Sequence, residues 1–70
     1  MVVPDERPYP ETFWQDVAAT YLRLVIVEGV TNPAVWIAED TGAPIPTVRG
    51  WIAKCRQLGL IGKGNQGRLG

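Results

Sequence analysis

Apolar residues recur at helical spacing in three stretches of the chain, and polar residues, Gly and Pro punctuate them. The first stretch opens with Thr12-Phe-Trp-Gln15, which has the form of a capping box, Thr12 as N-cap and Gln15 reaching back. Behind it Trp14, Val17, Ala18, Tyr21, Leu22 and Val25 fall on one face, predicting a helix that runs to Glu28 and stops at Gly29. The run Leu24-Val-Ile-Val27 is apolar on more than one face. It is either wrapped by neighbouring elements or it meets a second copy of the chain. A second, shorter helix is predicted from Pro33 to Thr41, with Asn32 as N-cap, Pro at the first helical position and Gly42 as the stop. Val35, Trp36, Ile37 and Ala38 lie inside it, and Trp36 is expected on the inward face.

The third helix is predicted over residues 46–58. Pro46 takes its first position, and Val48, Trp51, Ile52, Cys55 and Leu58 line one face. Gly59 closes it, with Leu60 folding back as the apolar partner of a Schellman end. Ala43-Pro44 is the turn, and Ala43 and Ile45, each preceding a Pro, are pushed toward extended geometry. The three Pro of residues 1–10 interrupt any period and predict an extended arm. The organisation expected is therefore all-α: an arm (1–10), a three-helix helix-turn-helix domain (11–61) and a Gly-rich basic tail (62–70). That tail reads either as a short C-terminal wing or as a flexible extension.

Composition changes this picture in one respect. A 70-residue chain buries only about 60% of the surface it exposes when unfolded, so its core is small. Three Trp, two Tyr and one Phe compensate, since each aromatic buries ~150–250 Å². Net charge is zero, but its distribution is not even. All seven acidic residues lie between Asp5 and Asp40, whereas Arg49, Lys54, Arg56, Lys63 and Arg68 follow Gly42 with no acidic residue among them. A basic segment of this kind points to a polyanion partner, or is simply a solvated helix face.

Two helices joined by a tight Gly-containing turn constitute the helix-turn-helix outline, and the internal spacing here is more specific. Ala38 stands four residues before Gly42, where the helices approach too closely for a large side chain. Val48 and Trp51 follow Gly42 by six and nine residues and pack the third helix on the second, with Ile37 as the opposing contact. On the residues Val35-Trp-Ile-Ala-Glu39, Gly42, Thr47-Val-Arg-Gly-Trp-Ile52 and Leu58-Gly-Leu-Ile61, the stretch from Phe13 to Leu60 resembles the small helix-turn-helix domains common in actinobacterial and actinophage proteins. The resemblance spans about two-thirds of the chain. It implies double-stranded DNA as the partner, bound by a small cytoplasmic transcriptional regulator. It departs from that family at Pro44-Ile-Pro46, where the family carries a hydroxyl cap and a polar first turn.

In such a unit the second helix enters the major groove with its N-terminal part at the base edges. The outward face would present Ile45, Pro46, Arg49, Gly50, Ala53 and Arg56. Arg49 is the candidate for a bidentate guanine contact, Ile45 for apolar contact with a thymine methyl, and Gly50 and Ala53 for close approach. Thr47, Lys54, Arg56 and Gln57 are placed for phosphates, and Lys63 and Arg68 for the backbone or a minor groove. Trp14, near a helix start, is a core residue or faces a partner. A single domain of this size binds weakly at physiological salt, so occupancy calls for a homodimer through the first helix or for a protein partner.

Other classes find little support. The chain has no His and no Ser, so the usual base and hydroxyl nucleophile of an enzyme are missing. Glu39-Asp40 are adjacent and point apart on a helix. No metal-ligand spacing occurs, and no cofactor is expected. Cys55, the lone cysteine, reads as a small core residue. The longest aliphatic run is far short of a membrane span, and a cytoplasmic location is expected. The rival reading is a protein-interaction module of the same fold, serving RNA polymerase, a phage packaging assembly or another partner.

Overall fold

The computed structural model describes residues 1–62. It contains α1 (Glu11–Leu22), continued by a π-helical segment (Arg23–Val27), then α2 (Pro33–Thr41) and α3 (Ile45–Gln57). No strand occurs among the described residues, and the domain is all-α with three helices, as expected. The choice between a wing and a flexible tail, and with it the placement of Lys63 and Arg68, lies outside the described residues.

The start of α1 differs from the capping-box expectation. Pro10 is the N-cap, in extended geometry, and no side chain caps the helix, so Thr12 does not serve that role. The Pro10 carbonyl accepts the Phe13 N–H at 3.0 Å. Tyr9, just outside the cap, packs on Trp14 at the fourth helical position with ring centroids 5.7 Å apart. That pairing is a hydrophobic staple, which sets the angle of chain entry. The arm is thus non-helical but not free, since Met1, Val3 and Tyr9 pack against the core. The Met1 ammonium also lies 2.9 Å from the Asp40 carboxylate, holding that carboxyl below its ordinary pKa.

Within α1 the buried stripe is Phe13, Val17 and Ala18, joined by Leu24 from the π segment. The sequence reading missed Phe13 and misplaced Val25, which is exposed. The wrapping alternative for residues 24–27 also fails, because Ile26 and Val27 are 72% and 77% exposed. At about 100° per residue Ile26 lies on the side of the helix opposite Val17, and Val27 also falls off the buried stripe that Leu24 continues. The Glu28 N–H bonds the Arg23 carbonyl five residues back, at 3.1 Å, and the Val30 N–H bonds Leu24 at 2.8 Å. This wider turn ends the helix ahead of Gly29, at φ +67°.

Asn32 does occupy the N-cap of α2, although without a side-chain cap bond, and Pro33 opens the helix. Its inward face is Ile37 and Ala38, flanked by half-buried Ala34 and Thr41, which is one narrow helical stripe. Trp36 lies off that stripe and is 51% exposed, contrary to the inward placement expected of it. Gly42 ends α2 at φ +79° while its N–H bonds the Ala38 carbonyl at 2.8 Å. Thr41 secures the turn from both sides. Its hydroxyl donates to the Ile37 carbonyl at 2.8 Å and accepts the Ala43 N–H at 3.2 Å.

Pro44 is the N-cap of α3, so the helix begins one residue earlier than expected and Pro46 takes its second position. Either position suits a residue without an N–H, because the first-turn donors have no helical acceptor. Val48, Trp51, Ile52 and Cys55 are buried as expected, and Leu58 is exposed. Beyond Gly59, at φ +77°, the Gly59 N–H bonds Arg56 at 3.1 Å and the Leu60 N–H bonds Cys55 at 2.9 Å, completing a Schellman motif. Beyond this turn Ile61 is buried, whereas Leu58, which the helical period had placed inward, is exposed.

Two glycines give opposite expected outcomes in chemical melts. Gly42→Ala puts a side chain in left-handed geometry and should lower stability by about 1–3 kcal/mol. Gly50, inside α3, has no atom within 4 Å of an added Cβ. Gly50→Ala should therefore raise stability by roughly 0.5–1 kcal/mol, and a loss there would contradict the helical environment described.

Candidate nucleic-acid interface

The orientation of α3 follows from which of its residues the core takes. With Val48, Trp51, Ile52 and Cys55 inward, Pro46, Arg49, Gly50, Ala53, Lys54 and Gln57 are exposed. Gly50 and Ala53 leave a shallow depression on the outer surface of the helix, bordered by Lys54, Arg56 and Gln57. Arg49 and Arg56 lie on one side of this floor, along a groove of about 460 Å³ that also meets Asn32 and Pro33 at the start of α2. Lys54 and Thr47 lie on the other side, along a groove of about 570 Å³ shared with the N-terminal arm. Cations thus flank a strip with almost no side chains.

The expected site residues divide into groups. Arg49, Gly50, Ala53, Lys54 and Gln57 share the solvent face, and neither Arg49 nor Lys54 forms an ion pair among the described residues. Ile45 is half-buried and packs against the core, which leaves little of it for a partner. Thr47 is half-buried. The Arg56 guanidinium is engaged by α1. It donates to the Tyr21 hydroxyl at 3.1 Å, and its central carbon lies 5.7 Å from the Tyr21 ring centroid. That pairing tethers Arg56 at the edge of the face. No sequence signal singled it out, because residues 21 and 56 are joined only by the fold.

The acidic groups that can be placed lie elsewhere. Asp16 and Asp40 border a groove between α1 and α2, with Arg23 and Trp36, to which α3 contributes nothing. Glu28 pairs with Arg23 at 3.4 Å across the π segment. Arg7, from the acidic front half of the sequence, instead reaches the α3 side of the molecule. Sequence reasoning missed it by counting charge along the chain; the pair Tyr9 and Trp14, which takes staple spacing once Pro10 is the N-cap, is the signal that could have found it.

Cys55 faces away from this surface and is buried. Its Sγ–H donates to the Trp14 carbonyl at 3.3 Å, and burial pushes the thiol pKa up. Both features favour the neutral thiol over the nucleophilic thiolate. No described helix is long and apolar enough to cross a membrane. No family model matches the chain, and comparison with curated proteins and with solved structures returns no match.

The Cys55 environment has a consequence for pH dependence. The raised native pKa means that the unfolded thiol loses its proton first, from pH about 8.5 upward. This group leaves stability unchanged below that range and lowers it as the pH rises through it. Urea midpoints of the wild type should fall more steeply between pH 8 and 10 than those of Cys55→Ala; parallel curves would contradict the assignment.

Proposed function

We propose that this chain binds double-stranded DNA through the outer face of α3, as a small transcriptional regulator acting as a dimer or with a partner. The observation that carries this reading is the composition of that face: Arg49, Lys54 and Arg56 border a floor made by Gly50 and Ala53. A glycine inside an exposed helix costs about 1 kcal/mol relative to Ala. Nothing in the fold calls for one at position 50, where neither backbone geometry nor a neighbouring atom excludes a side chain. Close approach of another molecule accounts for it. The resemblance of residues 13–60 to actinobacterial and actinophage helix-turn-helix domains supports the same partner.

On this reading Arg49 is the main base-reading residue, with Ala53 admitting the base edges. Lys54, Thr47 and Gln57 contact phosphates, and Arg56, steadied by Tyr21, does so from the edge of the helix. The apolar first turn, Pro44-Ile-Pro46, offers no side-chain donor, so sequence discrimination is narrow. The second copy is assigned to Ile26 and Val27, whose exposure is otherwise unfavourable. Those two residues, with exposed Trp36, also favour the second reading, a protein-interaction module that binds no DNA.

Anisotropy titrations on random-sequence duplex separate the two. Binding at low salt that weakens steeply as salt rises is the expected result, and no affinity at low salt would end the DNA reading. Arg49→Ala should reduce discrimination between sites by the equivalent of ~1–3 kcal/mol, and equal affinity and preference would remove its assigned role. In light scattering, Ile26→Asp should shift the chain toward monomer. A wild type that stays monomeric at high concentration would exclude the dimer.

A further inference from the structure

We infer that Arg7 and Lys54 form a phosphate clamp beside α3, through which the N-terminal arm grips the backbone of the duplex that α3 contacts. This rests on the DNA reading of α3 and adds to it a contact from outside the helix-turn-helix unit. The groove is built by Arg7 and Tyr9 of the arm, Trp14 of α1, and Thr47, Gly50 and Lys54 of α3. Gly50 and Lys54 also border the small-residue floor, so this groove and the α3 face are contiguous. No carboxylate lines it. Asp5 and Glu6 precede Arg7 in the chain, but no ion pair among the described residues joins them to it.

The position of Arg7 is set by the core. Its guanidinium carbon stands 5.7 Å from the Tyr9 ring centroid. Tyr9 is in turn held against Phe13 at 4.5 Å and edge-on to Trp51 at 6.4 Å. A cation so placed is partly ordered before any partner arrives, which lowers the entropy lost on binding. Two cations lining one groove, with Thr47 beside them, match the charge and hydrogen-bonding needs of a phosphodiester.

The test is the salt dependence of duplex binding by the full chain. Each phosphate contact adds about 0.9 to the slope of log affinity against log salt. Arg7→Ala and Arg7→Gln should each weaken binding to every sequence alike and lower that slope by about one, while Arg7→Lys keeps it. Arg7→Gln retains the stem over Tyr9, so it separates charge from packing if Arg7→Ala unfolds. A wild type that binds with salt dependence while the Arg7→Gln slope is unchanged overturns the clamp and leaves the α3 reading intact. A wild type that binds no duplex overturns both. Saturable quenching of tryptophan fluorescence by inorganic phosphate, with the duplex slope unchanged in Arg7→Gln, would instead mark a free-anion site and also overturn the clamp.

Discussion

Trp51 of α3 meets the Phe13 ring edge-on, with the rings perpendicular and their centroids 5.1 Å apart, and most of the molecule is arranged around that contact. Phe13 opens α1, Trp51 lies in the middle of α3, and Tyr9 packs on both from the arm. Trp14 extends the cluster on its other side, 5.0 Å from Phe13. Each such aromatic pair contributes about 0.5–1.5 kcal/mol beyond the area it buries. A domain whose total stability is only ~5–15 kcal/mol depends heavily on a few of them. The same cluster ties three separate parts of the chain into one body and fixes how α3 is rotated about its axis.

That rotation carries the functional consequence. Once Val48, Trp51, Ile52 and Cys55 are committed inward, Arg49, Gly50, Ala53 and Lys54 have nowhere to face but solvent. The turn before α3 reinforces the arrangement. Gly42 reverses the chain in left-handed geometry, and the Thr41 hydroxyl bonds to backbone groups on both sides of it. α2 is thereby held against α3, with its small Ala38 in the core. On the proposed reading, a helix whose outer face is fixed by its core contacts suits recognition by shape and charge, since its orientation need not be imposed when a partner binds.

The molecule also leaves apolar surface uncovered where the helical period changes. Ile26 and Val27 of the π segment face outward, and Trp36 stands half-exposed on α2. Exposure at these positions opposes solubility and adds nothing to the core, so a second copy or another protein is the natural occupant on the proposed reading. With a net charge of zero, electrostatic attraction to a polyanion must come from local placement of cations, not from the molecule as a whole. Arg7 shows how far such placement can depart from chain order.

Helix number, the Gly42 turn, the Schellman end at Gly59 and the inward face of α3 were all legible in the sequence. Each depends on local spacing or on a residue with a singular backbone preference. The solvent face of α3 was legible at Pro46, Arg49, Gly50 and Ala53 for the same reason, being the complement of the inward one, whereas Ile45 and Arg56 are half-buried, on the core and on Tyr21. Period alone could not place Trp36, Leu58 or Val25, because a four-residue apolar run fits more than one face and a helix end removes the period altogether. The π turn, the burial of Ile61, the Tyr21–Arg56 pairing and the approach of Arg7 to α3 were decided by tertiary structure. They join residues far apart in the chain or depend on how many residues complete one turn, and both are settled only when the elements pack.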